Sequence, residues 1–333
     1  MGGTKMKKMI GFITVLALIL SYAFVTESKK EDQKKSAIPV VGVLQLTSHP
    51  ALDKIYEGIV DALKEDGFID GKTMVLDFQN AQGDQSNLKT MSERFMTKKA
   101  DIMVGIATPS AQALANVSSE VPIVLGAVTD PKGAGLVKDN QHPGGNITGV
   151  SDQTPVEDQF NLIKTLVPEA KKIGIIYSSS EDNSIIQGKQ AAKAAKKLGL
   201  ETITATVAST NDVSQIATNL ATQVDAIYVP ADNTVASAMS TLVNITDAAK
   251  IPVFPAVDTM VEEGGLATVG LNQYELGKMT GKMTARILKG ESKPATTPIE
   301  YLKTGDKIVN PKKAQELGIT IPQDILDSAI IIK

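Results

Sequence analysis

The chain has 333 residues, 42% of them hydrophobic, and a net charge of −3, so it is long enough for two globular domains. It contains no Cys and only two His, which excludes thiol nucleophiles and Cys- or His-rich metal sites. An acidic chain whose only Arg residues are Arg94 and Arg286 is also a poor candidate for nucleic-acid binding. We therefore expect no metal, no cofactor and no nucleic-acid partner.

The N-terminus has the layout of an export signal. Three Lys between positions 5 and 8 precede an uncharged run at 9–25. Two interpretations stay open for residues 1–25: a signal peptide, with cleavage after Ala23, or an uncleaved membrane anchor. Residues 26–37 are a polar linker rich in charged side chains. Because the chain has no Cys, a lipid anchor on a Cys is not available.

Short apolar runs alternate with helical stretches through the rest of the chain, which predicts an α/β fold with parallel sheets covered on both faces. The predicted strands are Val40–Leu44, Met74–Phe78, Ile102–Ile106, Val121–Ala127, Ile173–Tyr177, Thr202–Val207, Ala226–Val229 and Val253–Val257. The intervening helices end before Gly67, Gly199 and Gly290, since Gly readily adopts the left-handed backbone that closes a helix.

An internal repeat indicates two similar lobes. Residues 100–130 and 224–258 both predict a strand, a helix and a Pro-led strand, followed by Asp130 or Asp258. A separation of about 125 residues is too long for a solenoid period and indicates two copies of one α/β unit.

The predicted fold is therefore two Rossmann-like lobes joined by a three-segment hinge. The crossings are expected near 145–152, 264–270 and 297–302. We assign 38–149 plus 269–299 to lobe 1, and 150–268 plus 300–333 to lobe 2. Such a hinge permits closure over a ligand.

In open parallel sheets, ligands bind beyond the carboxyl ends of the strands. Polar residues at those ends are the candidate ligand-binding set: Ser48, His49, Asn80, Thr108, Ser110, Thr129, Asp130, Glu181, Asn183, Asp232, Asn233 and Asp258.

The most informative candidates are at helix starts and strand ends. Thr108 and Ser110 open a helix whose free N–H groups favour an anion such as a carboxylate. Asp130, Asp232 and Asp258 offer partners for an ammonium group. With both Arg expected within helices, the pattern suits a zwitterion, hence an amino acid.

A structural role remains the alternative for each of these candidates. Thr108 and Ser48 could simply cap helices, and each Asp could cap the next helix or turn. His49 could stack on a ligand, bond to it, or be an ordinary loop residue. Glu181 and Asn183 are expected as contacts from a lid.

Enzyme motifs are missing from the sequence. It has neither a phosphate-binding glycine–lysine loop nor a Gly-x-Ser-x-Gly elbow. We therefore predict a binding protein and no enzyme activity.

Several segments resemble the substrate-binding proteins of ABC importers, in a family that includes Gram-positive tryptophan-binding members. The matching segments are 49–53, 107–112, 127–131, 146–152, 181–184 and 229–233, so the resemblance spans nearly the whole chain after the linker. It implies the type I periplasmic-binding fold, closure on a ligand, and tryptophan or another aromatic amino acid as that ligand. It also implies a permease and an ATPase encoded elsewhere, and a location at the outer face of the cytoplasmic membrane or outside the cell.

Three other functions stay open at this point. A sugar- or nucleoside-binding protein could use the same scaffold, although the low aromatic content of 4% weighs against stacking on a sugar. A membrane-tethered ligand sensor and an enzyme on a doubly wound fold are the other two.

Overall fold

The computed structural model describes residues 38–302 and 305–332. The predicted signal or anchor segment at 1–25 and the linker at 26–37 lie outside the described residues. The chain from Val40 onward forms one compact unit. Within the described ranges, no helix is both long and apolar enough to cross a membrane.

Strands and helices alternate along most of this unit. The strands are β1 Val40–Gln45, β2 Val75–Asn80, β3 Ile102–Ile106, β4 Ile123–Gly126, β5 Ile147–Ser151, β6 Lys172–Ser178, β7 Glu201–Val207, β8 Ala226–Val229, β9 Val253–Pro255, β10 Ala267–Gly270, β11 Glu300–Tyr301, β12 Asp306–Val309 and β13 Ile330–Ile331. The helices are α1 Pro50–Glu65, α2 Gln85–Thr97, α3 Thr108–Val117, α4 Val156–Leu166, α5 Asp182–Lys197, α6 Val213–Ala221, α7 Asn233–Ala236, α8 Met239–Ala248, α9 Asp258–Glu262, α10 Gln273–Leu288, α11 Pro311–Leu317 and α12 Gln323–Ser328. Every predicted strand and the three predicted helix ends are confirmed to within a few residues.

The strands form two parallel sheets and a small mixed one. The first sheet has the order β11-β5-β4-β3-β1-β2, and the second has the order β7-β6-β8-β9. The third sheet, β10-β12-β13, contains one antiparallel pair, β10 with β12. The predicted α/β fold of two lobes is therefore confirmed, with lobe 1 around the first sheet and lobe 2 around the other two.

The sheet order confirms the repeat that the sequence indicates. In lobe 1, β1 lies between β2 and β3, and β4 follows β3; in lobe 2, β6 lies between β7 and β8, and β9 follows β8. Helix α3 therefore occupies in lobe 1 the position of α7 in lobe 2. Each lobe has its own buried hydrophobic core, because its central strands are covered on both faces.

Helix α10 returns from lobe 2 to pack closely on α1. Two glycines at the contact allow the helices to approach this closely. A Cβ on Gly58 would lie 2.3 Å from the Tyr274 carbonyl oxygen, and a Cβ on Gly277 would lie 2.1 Å from the Ile55 carbonyl oxygen. The close contact fixes α1, whose N-terminal end faces lobe 2.

The chain passes between the two lobes near β5, β10 and β11. Strand β5 pairs with β4 and β11 in the first sheet, whereas β10 pairs with β12 in the third sheet. The predicted boundaries at 149/150 and 299/300 fall inside β5 and at the start of β11. The division of the chain into 38–149 plus 269–299 and 150–268 plus 300–333 stays a prediction.

Candidate functional site

A cavity lies between the two lobes at the carboxyl ends of their strands. It contains about 410 Å³ of space free of protein atoms, part of it open to solvent. Its position, at the carboxyl ends of parallel strands, is the one that such sheets favour for ligands. The lining residues are His49, Ala51, Leu52, Ile55, Ala107, Thr108, Ala127, Thr129, Asp152, Asn183, Ala231, Asp232, Asn233, Ala236, Val257, Met260 and Gln273.

Six of the twelve predicted site residues meet on this cavity wall: His49, Thr108, Thr129, Asn183, Asp232 and Asn233. They come from five different strand ends or helix starts, far apart in the sequence. The structure shows that these six residues line one cavity, and that they contact a ligand stays a prediction.

On the lobe 1 side, the start of α3 faces the cavity with no side-chain cap. Its N-cap residue, Ala107, makes no capping bond and has φ 73° and ψ 157°, a region that residues other than Gly rarely occupy. Ala127, which follows β4 and also lines the cavity, has φ 57°. Strained backbone at two neighbouring strand ends is typical of functional sites.

Two hydroxyls accompany this helix start. Thr108 is buried and lines the cavity. Ser110 is fully buried, and its Oγ has no hydrogen-bond partner among the described residues, although Ser110 does not line the cavity. The first-turn N–H groups, which no helical carbonyl can reach, make this end of α3 suitable for an anionic group.

On the lobe 2 side, the start of α7 is capped by the protein itself. Asp232 Oδ1 accepts a bond from the Val235 N–H at 2.7 Å, and Oδ2 accepts one from the Ser178 N–H at 2.6 Å. Glu181 accepts bonds from the N–H and hydroxyl of Thr234 at 3.0 and 2.9 Å. The capping alternative is therefore observed for Asp232, and Glu181 lies behind the cavity wall.

Burial dominates the electrostatics of Asp232. Desolvation, with the nearby Glu181 carboxylate as a second cause, raises the pKa of Asp232 to about 7. The two N–H bonds oppose this shift without cancelling it.

Asn183 presents an unused acceptor to the cavity. Its Nδ2 donates to the Ala231 carbonyl at 2.9 Å, which fixes the orientation of the amide. Its Oδ1 is buried and has no partner among the described residues. A buried acceptor of this kind is costly unless a donor meets it, so a ligand N–H group would fit here.

His49 joins the two lobes through Asn233. The His49 Nε2 lies 3.2 Å from Asn233 Oδ1, and Asn233 Nδ2 donates to Glu181 at 2.5 Å. This pattern requires His49 to be the donor. Burial lowers the pKa of His49, which favours the neutral ring.

Asp152 is the carboxylate that our sequence reasoning missed. It follows β5 directly, lines the cavity and accepts a bond from the Thr129 hydroxyl at 2.9 Å. Burial raises its pKa to about 6, against the opposing effect of that bond. The strand-end rule would have selected it, because Asp152 is the first residue after a strand of the parallel sheet.

The sequence also could not single out the apolar part of the wall. Leu52 and Ile55 on α1 face Val257 and Met260 around α9. In the sequence these residues are indistinguishable from ordinary core side chains. Together they form an aliphatic wall beside the polar groups.

Two further candidates, Glu181 and Ser110, adjoin the cavity without lining it, and four others lie elsewhere. The Ser48 hydroxyl donates to Asp53 at 2.8 Å, and Asn80 Oδ1 accepts from the Gln82 N–H at 2.9 Å. Asp130 Oδ1 likewise accepts from the Gly133 N–H at 2.8 Å. These side chains hold local turns, the role typical of Asx and Ser residues in loops.

Asp258 lies on the outer side of α9. It borders a separate surface pocket together with Lys54 and Glu262, and its carboxylate accepts from the Thr259 N–H at 2.8 Å. Burial raises its pKa to about 6. The prediction that Asp258 faces the ligand is not supported by this placement.

Both Arg residues lie away from the cavity, as expected. Arg94 pairs with Asp77 at 3.0 Å and Arg286 with Glu300 at 2.5 Å. Neither Lys nor Arg is among the cavity-lining residues in the described part of the chain.

Bonds at the rim close the lobes over the cavity. On one side, Lys54 of α1 pairs with Glu262 of α9 at 3.1 Å. On the other side, Gln112 of α3 donates to Asp182 of α5 at 2.9 Å. With the interior bond between His49 and Asn233, these contacts show that the lobes are closed.

Comparison with known proteins agrees with this architecture. The family model "ABC transporter substrate binding protein" matches residues 40–333. A tyrosine-binding protein of Clostridioides difficile is 38% identical over 284 residues, which cover 85% of this chain and 81% of that protein.

Two solved structures are similar in fold and sequence. The ABC domain from Streptococcus pneumonia in complex with L-Trp has a TM-score of 0.87 and 48% identity, covering 89% of this chain and all of the other. The ligand-free, open structure of a substrate binding protein with adhesive properties from Clostridium difficile has a TM-score of 0.68 and 38% identity, covering 89% of this chain and 99% of the other. The family match over nearly all the described residues, on a fold of two lobes closed over a cavity, shows that this chain belongs to the ABC transporter substrate-binding proteins.

Proposed function

We propose that this protein binds an aromatic amino acid in the cavity between its lobes and delivers it to an ABC importer. The observation that best supports this proposal is that donor and acceptor groups lie on different parts of the cavity wall. The uncapped start of α3 is on lobe 1, Asp152 follows β5 where the chain crosses between the lobes, and the unused Oδ1 of Asn183 is on lobe 2. A zwitterion matches this arrangement, with its carboxylate toward Thr108 and its ammonium toward Asp152 and Asn183.

The aliphatic wall supports an apolar side chain on that amino acid. Leu52, Ile55, Val257 and Met260 offer the surface against which a ring would pack. A Met sulfur in contact with an aromatic ring adds a favourable contribution. The relatives that bind tyrosine and L-Trp support the same class of ligand.

The mechanism follows from closure. The open form admits the amino acid, and the bonds that cross the cleft form as the lobes close. Because the ligand's carboxylate would meet the start of α3 on lobe 1 and its ammonium would meet Asn183 on lobe 2, a zwitterion would stabilise the closed form more than a ligand with one charge. A permease and an ATPase encoded elsewhere would then accept the closed form.

The experiment that tests this proposal is titration calorimetry of the purified chain with the twenty amino acids, ribose, galactose and adenosine. We expect L-tryptophan or L-tyrosine to bind at least tenfold more tightly than L-leucine. Tight binding of a sugar or nucleoside, with no amino-acid binding, would overturn the proposal and favour the alternative on the same scaffold.

We further propose that residues 1–25 direct export, so that the binding unit works outside the cytoplasmic membrane. The basic residues before the apolar run support this proposal. Mass spectrometry of the native N-terminus distinguishes a cleaved signal from an anchor: a chain beginning near Phe24 is cleaved, and one beginning at the first residues is anchored. Recovery of the native chain in the cytosolic fraction would contradict export.

A further inference from the structure

A buried Gln on lobe 2 lies immediately behind the polar part of the cavity. Gln187 on α5 has no exposed surface and does not line the cavity. Its Oε1 accepts a bond from the Ala231 N–H at 3.1 Å, and its Nε2 donates to the Thr129 hydroxyl at 3.0 Å. The first bond holds the amide within lobe 2, and the second crosses to lobe 1.

The bond from Gln187 determines what the Thr129 hydroxyl can do. A Thr hydroxyl has one proton to donate. Because Thr129 Oγ1 accepts from Gln187, its own proton is directed to Asp152 Oδ1, 2.9 Å away. The Thr129 carbonyl also accepts from the Ser151 hydroxyl at 2.9 Å, which holds the backbone of Thr129 beside Asp152.

This chain of bonds acts on the carboxylate at the cavity wall. A hydrogen bond from Thr129 favours the ionised form of Asp152, whose burial has the opposite effect. A carboxylate has about four acceptor positions, so the bond from Thr129 leaves others for a ligand. Since Gln187 and Thr129 are on different lobes, their bond requires the closed arrangement.

We propose that Gln187 is a positioning residue for recognition of the ligand's ammonium group, acting through the Thr129 hydroxyl on Asp152 when the lobes close. This inference rests on the proposed function, because it requires an amino acid in the cavity. It makes lobe closure and recognition of the ammonium one coupled event.

The matched control is Gln112. Its side chain also donates across the cleft, to Asp182 at 2.9 Å, but Gln112 does not line the cavity and is not bonded to Asp152. The variants Gln187→Met and Gln112→Met thus each lose one hydrogen bond between the lobes. Only Gln187→Met also breaks the series of hydrogen bonds that leads through Thr129 to Asp152.

The test compares two ligands that differ only in the amine: L-tryptophan and indole-3-propionate, with the latter measured by competition. We expect Gln187→Met to weaken L-tryptophan about tenfold and to change indole-3-propionate less than twofold, and Gln112→Met to change both less than twofold. If the preferred ligand is L-tyrosine, the pair is L-tyrosine and 3-(4-hydroxyphenyl)propionate.

Variants of Thr129 test the same series of hydrogen bonds without altering Gln187. Thr129→Val removes the hydroxyl at nearly constant shape and should lose the preference for the amine, whereas Thr129→Ser should retain it. In the Thr129→Val background, Gln187→Met should have no further effect on this preference, because both act through one hydroxyl.

The outcomes distinguish failure of the positioning role of Gln187 from failure of the proposed function. Equal weakening of both ligands by Gln187→Met, or full amine preference in Thr129→Val, overturns the positioning role and leaves the proposed function in place. No binding of any aromatic amino acid by the unaltered chain overturns both.

Discussion

Each lobe places a helix directly after its third strand, and the two helices begin differently. In lobe 1, α3 starts at Thr108 with no side-chain cap. In lobe 2, α7 starts behind Asp232 and Glu181, whose carboxylates accept bonds from its first N–H groups. The same position in the repeated fold is therefore open to an anion in one lobe and filled by the protein's own carboxyl groups in the other.

This difference gives the cavity a direction. An anionic group can use the helix start only on lobe 1, because carboxylates already occupy the equivalent place on lobe 2. A cationic group is favoured near Asp152 at the hinge and Asn183 of lobe 2, where acceptors line the wall. Two copies of one unit thus form a cavity with unlike ends, which suits a ligand with two opposite charges.

The largest expected effect comes from removing the carboxylate at the acceptor end. Asp152→Asn keeps the size of the side chain and removes the charge that we expect to meet the ligand's ammonium. A hydrogen bond to a charged group contributes about 1.5–3 kcal/mol, so binding of L-tryptophan or L-tyrosine should weaken about 10- to 100-fold in calorimetry.

Asp130→Asn is the matched control for this variant. Asp130 also follows a strand of lobe 1, but it holds a turn through the Gly133 N–H and does not line the cavity. Its substitution should leave ligand affinity unchanged within twofold. Equal losses in the two variants would show that the cavity polarity is not what binds the amino acid.

The contrast between Asp152 and Asp130 also shows what the sequence could predict. Strand ends and helix starts were predictable from apolar runs and from Pro and Gly positions, and they placed Thr108, Asn183 and Asp232 correctly around one cavity. Whether a polar side chain at a strand end faces a cavity or its own loop depends on local hydrogen bonds. Asp130 shows that a turn two or three residues long can satisfy such a side chain.

Asp152 and the apolar wall escaped prediction for different physical reasons. Asp152 lies where the chain crosses between the lobes, and we interpreted that segment as hinge and not as a strand end. Ile55 and Met260 are apolar residues on amphipathic helices, and only the closure of the two lobes distinguishes a cavity wall from a core. The sequence therefore predicted the fold, and six of the twelve polar residues selected from it line the cavity, but it did not predict the apolar wall.

An intermediate effect should appear in the pH dependence of stability, and it comes from the filled helix start. Burial, together with Glu181, raises the pKa of Asp232 to about 7 from an ordinary 3.8. Between these values the folded protein holds a proton that the unfolded chain has released. Stability contributed by Asp232 is therefore present below about pH 4 and is lost as the pH rises through about 7.

Urea unfolding of the ligand-free protein and of Asp232→Asn, each at pH 5 and pH 8, measures this contribution. The difference between the two proteins cancels the opposite effect of His49, whose lowered pKa destabilises the fold in acid. We expect the free energy of unfolding of the unaltered protein, relative to the variant, to be smaller at pH 8 than at pH 5. A difference that does not change with pH would show that Asp232 has an ordinary pKa.

The smallest effect is expected at the rim, where the two lobes meet through the ion pair between Lys54 and Glu262. Both side chains are substantially exposed, at 39% and 46%, and exposed pairs contribute about 0–1 kcal/mol. Lys54→Ala should therefore weaken amino-acid binding less than about fivefold at low salt, and not at all in 1 M NaCl, where charges are screened beyond about 3 Å. Glu262→Ala should behave in the same way, because either change removes the same pair. A tenfold loss that persists in high salt would mean that the rim, and not the unlike helix starts at the cavity wall, holds the lobes together around the ligand.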